Sequence, residues 1–582
     1  MKNKEIAAIF NRIADALEIK GESGFRVLAY RKAARVIEEL PEAVEELAEK
    51  KKLAEIPGVG KGIAQKIEEF LQTGRMKKME EALAEIPEGL LELLNIPNLG
   101  GKTIHLAYKE LGVKNLNDLK RVIEDGSLAQ LYGLGEKKVE NIKKGIDIYE
   151  HAQERIPIAE ALAIAEKIVD YLCQYSGIKH ISPAGSLRRM KETVGDIDIL
   201  ATGDEGAAII DYFTRCPGVT KVLAAGKTKS SILVEAESGE RQVDLRIVDE
   251  DSYGAALQYF TGSKAHNIKL RSLAKEKGLR ISEYGVFQGK KRLAGRTEEE
   301  VYQMLGLPLI PPEMREDRGE VELALQNKLP QIVTLSDIKG DLHVHSRWSD
   351  GLLELPELVE EARKMGYEYL AICDHSQSVH YANGLSPERL QQQIAEIDRL
   401  NQQLDDFQLL KATEVDILAD GSLDFPDELL EKLDFVVAAI HTGFRKKVTE
   451  RMIKAMHNPL VMAIAHPSGR LISKREGYEV DLDKIIIEAA QMGVFLELNS
   501  YYDRLDLNEF YLKKAKDAGV LISIGTDCHN WEGLKMMRFG VGVARRAWLE
   551  KADILNCLSL AEVKEKLKEV RKMRKKLVAE KR

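Results

Sequence analysis

The sequence lacks the features that mark a secreted or membrane-spanning protein. Its five cysteines are scattered and form no CxxC pair, so neither a disulfide framework nor a zinc ribbon is expected. Its longest apolar runs, such as FVVAAI and MAIA, have the length of a strand and not of a membrane span. The N-terminal stretch MKNKEIAAIFNRIADALEIK predicts an amphipathic helix without a signal-peptide core. We therefore expect a cytoplasmic protein.

The sequence also lacks a strong excess of either charge. A net charge of −8 over 582 residues excludes a chain that is basic throughout, so nucleic-acid binding requires local basic surfaces. Hydrophobic residues make up 44% of the chain and charged residues 31%, as is typical of globular proteins. The length is too great for one hydrophobic core and predicts two or more domains.

Three stretches of the N-terminal part repeat an apolar turn that contains glycine and is followed by an amphipathic helix. They are IPGVGKGIAQKIEEF, IPNLGGKTIHLAY and LYGLGEKKVENIKKG. Each resembles the helix-hairpin-helix motif, in which glycines let backbone N–H groups approach a DNA phosphate. Asn98 replaces the first glycine of the second copy and tolerates a positive φ. The residues expected to bind the DNA backbone are Gly58, Gly60, Lys61, Gly100, Lys102, Gly133, Gly135 and Lys137.

The stretch GDIDIL carries two carboxylates, Asp196 and Asp198, at alternate positions of an apolar strand, so both project from one face. A hairpin predicted in SILVEAESGERQVDLRIV adds Asp244 on a neighbouring strand. Adjacent like charges repel unless a cation lies between them. Three such carboxylates suit two Mg²⁺ ions about 4 Å apart. Upstream, GSLRR predicts a helix N-terminus that binds a triphosphate with Ser186 and Arg189.

The stretches GSLRRMKETVGDIDIL and YFTGSKAHNIKLR resemble the signatures of family X DNA polymerases, the polymerase beta group, over residues 1–318. The resemblance implies that the three aspartates hold the catalytic Mg²⁺ or Mn²⁺, and that dNTPs and gapped or primer-template DNA are partners. Other nucleotidyltransferases share the GS and DxD elements but are not expected to combine YFTGS with helix-hairpin-helix repeats. The nucleotide-binding residues implied are Arg155, Gly185, Ser186, Arg189, Lys229, Tyr259, Phe260, Gly262, Asn267 and Arg271.

The resemblance also implies a role for several of these side chains. Tyr259 and Phe260 are expected to flank the sugar and to discriminate against a 2′-hydroxyl. Asn267 is expected at the minor-groove edge of the incoming base, Arg271 at the template strand and Lys229 near the primer. The chemistry is phosphoryl transfer by positioning and charge neutralisation, without a covalent protein intermediate.

A lyase function is a further implication of this resemblance. Lys66 stands at the place of the Schiff-base lysine of the polymerase beta group, and Tyr30 agrees with that pattern. Phe25, Arg26 and Gly62, however, stand where that group has a histidine and two lysines. An ordinary lysine on a helix face is therefore the alternative.

The second half of the chain is rich in histidine, with eight of the twelve between His343 and His529. Seven apolar strands, most of them separated by helical patterns, end in polar residues, which predicts a parallel barrel with its active face at the carboxyl ends. Imidazole and carboxylate ligands suit Zn²⁺, Mn²⁺ or Fe²⁺, which lower the pKa of bound water. The nine candidate ligands are His343, His345, Asp350, His375, Glu414, His441, His466, Asp527 and His529.

This half resembles the PHP domain, a distorted (β/α)7 barrel that holds up to three metal ions, here expected to be Zn²⁺ or Mn²⁺. All nine positions of its motifs are filled, and the resemblance implies that Glu414 bridges two ions. Arg347, His380 and Arg504 are phosphate-binding candidates because they lie close to the motifs in sequence. His457 and the C-terminal run KEKLKEVRKMRKKLVAEKR are predicted at the surface, the latter as a basic helix.

The order of the two halves resembles the bacterial and archaeal family X polymerases. It predicts a monomeric gap-filling repair polymerase whose PHP domain is a 3′-5′ exonuclease, with abasic-site cleavage or 3′-phosphate removal as further activities. Two alternatives are a PHP half that hydrolyses pyrophosphate or small esters, and a non-catalytic scaffold at DNA gaps.

The fold expected is an all-α helix-hairpin-helix part, an α+β polymerase beta-like core and a PHP barrel. The predicted boundaries are 1–90 for a lyase-like helical domain, 91–150 for a helix-hairpin-helix subdomain, 151–250 for the palm, 251–318 for a nucleotide-selecting subdomain, 319–340 for a linker and 341–582 for the PHP domain.

Overall fold

The contacts within the chain divide it into two compact units. The first unit comprises residues 1–153 and 473–476, and the second comprises residues 154–472 and 477–582. The structure, a computed structural model, describes residues 2–581 except 23, 39–43, 57, 85, 97 and 237. Among these residues no helix has the length and apolar character needed to cross a membrane.

The first unit is helical over its described residues and contains two apolar cores. Phe10 and Phe70 lie in one core, and Leu90 and Ile142 lie in the other. The α-helices are α1 (Asn3–Ile19), α2 (Gly24–Glu38), α3 (Val44–Glu49), α4 (Lys61–Thr73), α5 (Lys77–Leu83), α6 (Glu88–Glu92), α7 (Gly101–Leu111), α8 (Leu116–Glu124) and α9 (Glu136–Glu154).

The three repeated turns have the same backbone feature. Gly58, Asn98 and Gly133 adopt φ values of 84°, 67° and 78°, a left-handed conformation that glycine and asparagine tolerate best. Asn98 therefore adopts the positive φ that an asparagine in place of glycine tolerates. Two residues further on, a glycine precedes the first residue of α4, α7 or α9. Each turn thus leads directly into the N-terminus of a helix, whose first N–H groups have no acceptor within the helix itself.

The polymerase-like part of the second unit is built around a five-stranded sheet in the order β2-β4-β7-β6-β5. Strands β4 and β7 are parallel neighbours, and the other pairs are antiparallel. Its elements begin with β1 (Ile156–Pro157), α10 (Ile158–Cys173), β2 (Ile178–Pro183), α11 (Gly185–Arg188), β3 (Thr193–Val194), β4 (Ile197–Gly203), α12 (Gly206–Thr214), β5 (Val219–Ala225), β6 (Lys229–Ala236) and β7 (Gly239–Ile247).

A smaller antiparallel sheet, β10-β9-β8, follows with the helices around it. Residues 319–340, predicted as a linker, contain a helix with Val321 and Ala324 buried, and the buried Glu320 carboxylate pairs with His266 at 2.6 Å. The elements are α13 (Tyr253–Thr261), α14 (Lys264–Glu276), β8 (Arg280–Ser282), β9 (Gly285–Gln288), β10 (Lys291–Ala294), α15 (Glu298–Met304) and α16 (Glu320–Leu325).

The C-terminal part is a parallel barrel of seven strands in sequence order. The first and last strands meet at their carboxyl ends, where Asp527 N donates to His343 O and His345 N donates to Cys528 O, both at 2.9 Å. The elements are β11 (Gly340–Val344), α17 (Leu355–Lys364), β12 (Tyr369–Ile372), α18 (Pro387–Asn401), β13 (Gln408–Asp416), α19 (Asp427–Leu430), β14 (Phe435–Ala439), α20 (Val448–Met456), β15 (Ala463–Ile464), α21 (Leu482–Met492), β16 (Phe495–Asn499), α22 (Glu509–Asp517), β17 (Ile522–Gly525), α23 (Met537–Arg546) and α24 (Leu560–Lys581).

Short 3₁₀ turns connect many of these elements. They span Leu53–Glu55, Leu93–Asn95, Ser127–Gln130, Glu250–Ser252, Pro312–Met314, Leu335–Asp337, His380–Ala382, Gly533–Met536, Lys551–Asp553 and Leu555–Cys557. The expected fold classes, a helix-hairpin-helix part, an α+β core and a seven-stranded parallel barrel, are all present.

The C-terminal helix α24 corrects one expectation, because it is not simply a basic surface helix. Val563, Leu567 and Val570 are buried in an apolar cluster of the barrel. Arg574 is also buried, and its guanidinium donates to the carbonyls of Met492, Met456 and Asn458 at 2.6–2.7 Å. Met492 and Met456 are the last residues of α21 and α20, and Asn458 follows α20 by two residues, so Arg574 caps the C-terminal ends of two helices at once.

We expect Arg574→Met to destabilise the barrel by about 3 kcal/mol, because the carbonyls of Met492, Met456 and Asn458 lose a charged donor that is itself buried. In calorimetry the corresponding transition should fall by several °C. Lys575→Met is the matched control, since Lys575 is half exposed and pairs with the exposed Glu431. Equal transition temperatures for the two variants would contradict the capping role.

Candidate active sites

The first site is a cluster of three carboxylates at the ends of β4 and β7. The parallel register places Asp198 opposite Asp244, with the flanking Ile197 and Ile199 buried in the core. Asp196 directly precedes β4 and lies close enough to act on Asp198 electrostatically. Burial, reinforced by the charges of the other two carboxylates, raises the pKa of Asp198 to about 7. Arg246 and Lys229 offset only part of this effect, so the cluster has a negative field that divalent cations would neutralise.

Asp244 is held differently from Asp198. Burial opposes its charged form, but hydrogen bonds from Ser231 and Gln242, together with the nearby Lys229, lower its pKa. Gln242 Nε2 lies 2.9 Å from Oδ1, and Lys229 Nζ lies 3.3 Å from Oδ2. Asp244 thus remains an anion at neutral pH, as a metal-binding carboxylate would have to be.

Gly185 allows the GS turn to approach the carboxylates. Its φ is +62°, and a Cβ atom there would lie 2.5 Å from Asp198 Oδ2. A small cavity beside this contact is lined by Asp198, Lys229, Asp244 and Phe260. The Phe260 ring also packs on Arg246, whose Cζ lies 4.4 Å from the ring centroid. The structure therefore gathers the GS turn, Lys229 and Phe260 around the predicted metal ligands.

The other predicted nucleotide contacts have protein partners in this structure. Arg155 Nε donates to Thr193 Oγ1 at 2.9 Å. Asn267 is buried, receives a hydrogen bond from Gln258 and donates to the carbonyl of Tyr259 at 2.8 Å. Arg271 Nε lies 3.3 Å from Asn267 O, and the Tyr259 ring lies edge-on to the Phe260 ring. Ser186 is half-buried in α11, and Gly262 lies next to the Arg189 guanidinium.

Lys66 lies in α4 of the first unit, and its Nζ donates to the carbonyl of Gly62 at 2.8 Å. Tyr30 is half-buried against Phe10, with ring centroids 5.7 Å apart. Phe25 is 89% exposed, where the polymerase beta group has a histidine. These placements are compatible with an ordinary helix-face lysine as much as with a lyase nucleophile.

The second site is a ring of imidazoles and carboxylates at the carboxyl ends of the barrel strands. Three overlapping groups have ligand atoms within 4.8 Å of one another: His345 with Asp350, His375 and His529; His343 with His345 and Asp527; and His375 with Glu414 and His441. The ninth predicted ligand, His466, joins them through Nε2, which lies 3.0 Å from Glu414 Oε1. All nine predicted ligands are thus together.

Glu414 is at the centre of this ring and is only 1% exposed. Its Oε1 lies 3.3 Å from His441 Nε2, and its Oε2 lies 2.8 Å from His375 Nδ1. Burial disfavours its charge, but the imidazoles around it hold the pKa of Glu414 well below its usual range. In return, despite burial, Glu414 and Asp416 raise the pKa of His441 to about 10. The negative charge of the site therefore attracts cations.

Several ligand atoms at this site are buried without a hydrogen bond. Among the described residues, Glu414 Oε2, His345 Nδ1 and His466 Nδ1 have no hydrogen-bond partner. Even His375 Nδ1, 2.8 Å from Glu414 Oε2, lacks hydrogen-bond geometry. Buried polar atoms are normally hydrogen-bonded. The unpaired Glu414 Oε2 and His375 Nδ1 therefore fit a metal ion that the carboxylate and the imidazole would both coordinate.

The three phosphate-binding candidates separate in the structure. Arg504 lies at the ring, with Nε 3.3 Å from Asp527 Oδ2. Arg347 is exposed and pairs with Glu354, and His380 is exposed in a short 3₁₀ turn. His457 is half-exposed and pairs with Glu488, in agreement with its predicted surface position. Only Arg504 is therefore placed by its contacts beside the ligands.

Sequence reasoning missed Glu497, which fixes two of the ligands. Its Oε1 lies 2.5 Å from His343 Nδ1, and its Oε2 accepts from the backbone N–H of His466 at 2.7 Å. Such a carboxylate fixes the orientation of a metal-binding imidazole. A signal was present, since Glu497 interrupts the apolar strand FLELN two residues before Asn499 and so shares its face.

Sequence profiles of four families match the chain. They describe a helix-hairpin-helix domain at residues 1–76, a SAM-like helix-hairpin-helix tandem at 90–147, a DNA polymerase beta thumb at 256–316 and a PHP domain at 341–532. Fold and sites together therefore define a polymerase beta-like enzyme joined to a PHP domain.

Individual relatives extend this assignment over the whole chain. The DNA polymerase/3′-5′ exonuclease PolX of Bacillus subtilis (strain 168) is 43% identical over 573 residues, covering 98% of this chain and all of the relative. DNA polymerase lambda of Rattus norvegicus is 28% identical over 54% of this chain and 56% of its own. A probable phosphatase of Thermoanaerobacter sp. (strain X514) is 28% identical over 39% of this chain and 94% of its own. The chain belongs to the family X DNA polymerases with a PHP domain.

We expect Gly185→Ala to reduce primer extension at least about 100-fold, because the added methyl group displaces Asp198. Extension of a one-nucleotide gap measures this effect, and 3′-end degradation by the same protein should be unchanged. Gly218→Ala is the matched control, since Gly218 has φ +87° but its Cβ would meet open space. Equal losses in both variants would attribute the effect to backbone strain instead.

Proposed function

We propose that the chain fills short gaps in DNA with its aspartate site and shortens 3′ ends with its barrel site. The observation that carries the proposal is the presence of two separate, complete ligand clusters in a chain aligned over 98% of its length with a polymerase/3′-5′ exonuclease. A scaffold with idle sites would need neither the buried, mutually repelling carboxylates of the first cluster nor the buried imidazole and carboxylate atoms of the second that lack a hydrogen bond.

At the polymerase site, Asp196, Asp198 and Asp244 are the residues that would hold Mg²⁺ or Mn²⁺. When bound, these ions supply charge neutralisation and activation of the primer 3′-hydroxyl. Gly185 brings the backbone of the GS turn to the triphosphate, and Lys229 offsets charge near Asp244. Tyr259 and Phe260 shape the sugar pocket, while Arg155, Ser186, Arg189, Gly262, Asn267 and Arg271 bind or position nucleotide and template.

At the barrel site, the nine residues of the ring would hold Zn²⁺ or Mn²⁺, and up to three ions are proposed. When bound, such ions supply an activated water at neutral pH. Glu497 keeps the His343 ring oriented, and Arg504 offers a cation to a phosphodiester at the rim. The abasic-site endonuclease activity is assigned to this same ring.

The first unit is proposed to bind the DNA backbone at the glycines and lysines of its three turns. Its helix N-termini and their lysines supply the sequence-independent attraction that a gap-binding enzyme needs. A lyase role for Lys66, a monomeric state and a cytoplasmic location stay predictions from the sequence. The domain boundaries given above stay predictions as well.

A second candidate function for the barrel is phosphomonoester hydrolysis. It is favoured by the similarity of 39% of this chain to 94% of a probable phosphatase. A 3′-phosphate on DNA and a small phosphate ester are both substrates of this class, and each needs the same activated water.

We expect Asp196→Ala with Asp198→Ala to abolish extension of a one-nucleotide gap, because two of three metal ligands are lost. Degradation of the same labelled primer without nucleotides should continue, since the barrel ring is intact. Loss of both activities would show that the sites are not independent.

We expect His343→Ala with His345→Ala to stop 3′ trimming while extension continues. Primers ending in a 3′-hydroxyl or a 3′-phosphate, incubated with Mn²⁺, measure exonuclease and phosphatase activity side by side. His457→Ala is the control, because His457 is half-exposed and outside the ring. A double variant that still trims would refute the assignment, and loss of phosphatase activity alone would favour the second candidate.

A further inference from the structure

Arg189, the proposed triphosphate-binding arginine, is held by contacts on both sides of its guanidinium. Its Nη1 donates to the carbonyl of Thr261, and its Nε lies 3.0 Å from Glu316 Oε1. The side chain is only 12% exposed. The position of Arg189 therefore depends on where Glu316 is held.

Glu316 is held in turn by an arginine of the barrel. Arg546 lies at the end of α23, and its Nη1 donates to the same Glu316 oxygen at 3.0 Å. The same nitrogen donates to the backbone carbonyl of Arg189 at 2.7 Å. Arg546 is fully buried and its Nη2 donates to Glu509 at 2.9 Å, so its guanidinium is fixed from the barrel side.

These contacts form a network in which cations outnumber carboxylates. Glu316 and Glu509 accept from or lie near four basic side chains, which are Arg189, Lys191, Arg318 and Arg546. Arg546 and its neighbours lower the pKa of Glu509 to about 2 against the effect of burial, so this carboxylate is ionised. An excess of positive charge therefore adjoins the proposed triphosphate site.

We propose that Arg546 of the PHP domain is a positioning residue for nucleotide binding by the polymerase, acting through Glu316 and Arg189. Because one oxygen of Glu316 serves both arginines, Arg546 weakens the hold of that carboxylate on Arg189. It also fixes the backbone from which Arg189 projects. This inference rests on the proposed function of Arg189.

Removal of Arg546 leaves Glu316 to pair with Arg189 at 3.0 Å and with the more distant Lys191 at 3.7 Å. The carboxylate then competes more strongly with an incoming triphosphate for Arg189. We expect Arg546→Met to raise the KM for the incoming dNTP about tenfold in one-nucleotide gap filling, with kcat within about twofold. In an Arg189→Ala background, Arg546→Met should change KM no further, because the residue through which it acts is absent.

The matched control is Arg545→Met. Arg545 is the preceding residue of α23 and also crosses to the polymerase part, but it pairs with Glu313 at 2.7 Å and with the carbonyl of Val333. Its replacement should leave the KM for dNTP within about twofold of the unmodified protein. Exonuclease activity of each variant on single-stranded DNA reports whether the barrel is folded.

A second variant approaches the same contact from the polymerase side. Glu316→Gln removes the competing charge and should lower the KM for dNTP. An unchanged KM in both Arg546→Met and Glu316→Gln, or equal effects of Arg545→Met and Arg546→Met, would overturn the inference. If Arg189→Ala itself leaves KM unchanged, the proposed nucleotide site is wrong, which is a separate failure.

Discussion

The convergence of strand ends on a buried cluster of negative charge is the constraint on which the structure depends. In the barrel, parallel strands in sequence order bring their carboxyl ends to one rim, so imidazoles and carboxylates distant in the chain surround Glu414. A buried carboxylate without compensation is costly, and here imidazoles approach it from several strands. Folding therefore assembles the ring, and the carboxylate at its centre favours the binding of cations.

The polymerase site is also formed where neighbouring strands bring acidic side chains together, but it contains fewer residues. Parallel pairing of β4 and β7 places Asp198 beside Asp244, and the absence of a side chain at Gly185 lets a turn close over them. The raised pKa of Asp198 expresses the repulsion and burial that this arrangement imposes. In the barrel, imidazoles instead lower the pKa of Glu414, so the two sites gather acidic groups by different balances of charge. Extension and trimming of a DNA strand are reactions of opposite direction.

The two sites also belong to one packed unit. Arg470 of the barrel pairs with Glu192, which directly precedes β3, and Met190 packs against Gly542 of α23. An apolar cluster contains residues of both parts, among them Ile158 and Val541. Extension and trimming therefore occur on a shared framework, and the Arg546 network gives that framework a direct link to the nucleotide site.

The sequence by itself determined the set of nine candidate barrel ligands, the alternating aspartates, Asp244 in its hairpin and the tolerance of Asn98 for a positive φ. These follow from strand alternation, from motifs that repeat at strand ends and from local backbone preference, which are properties of short stretches. Only the tertiary structure decided the roles of Glu497, Arg574 and Arg546. Their partners lie far away in sequence, as with Arg546 and Glu316, and the basic composition of α24 concealed a buried arginine. Long-range pairing depends on how whole elements pack, and no short stretch of sequence encodes it.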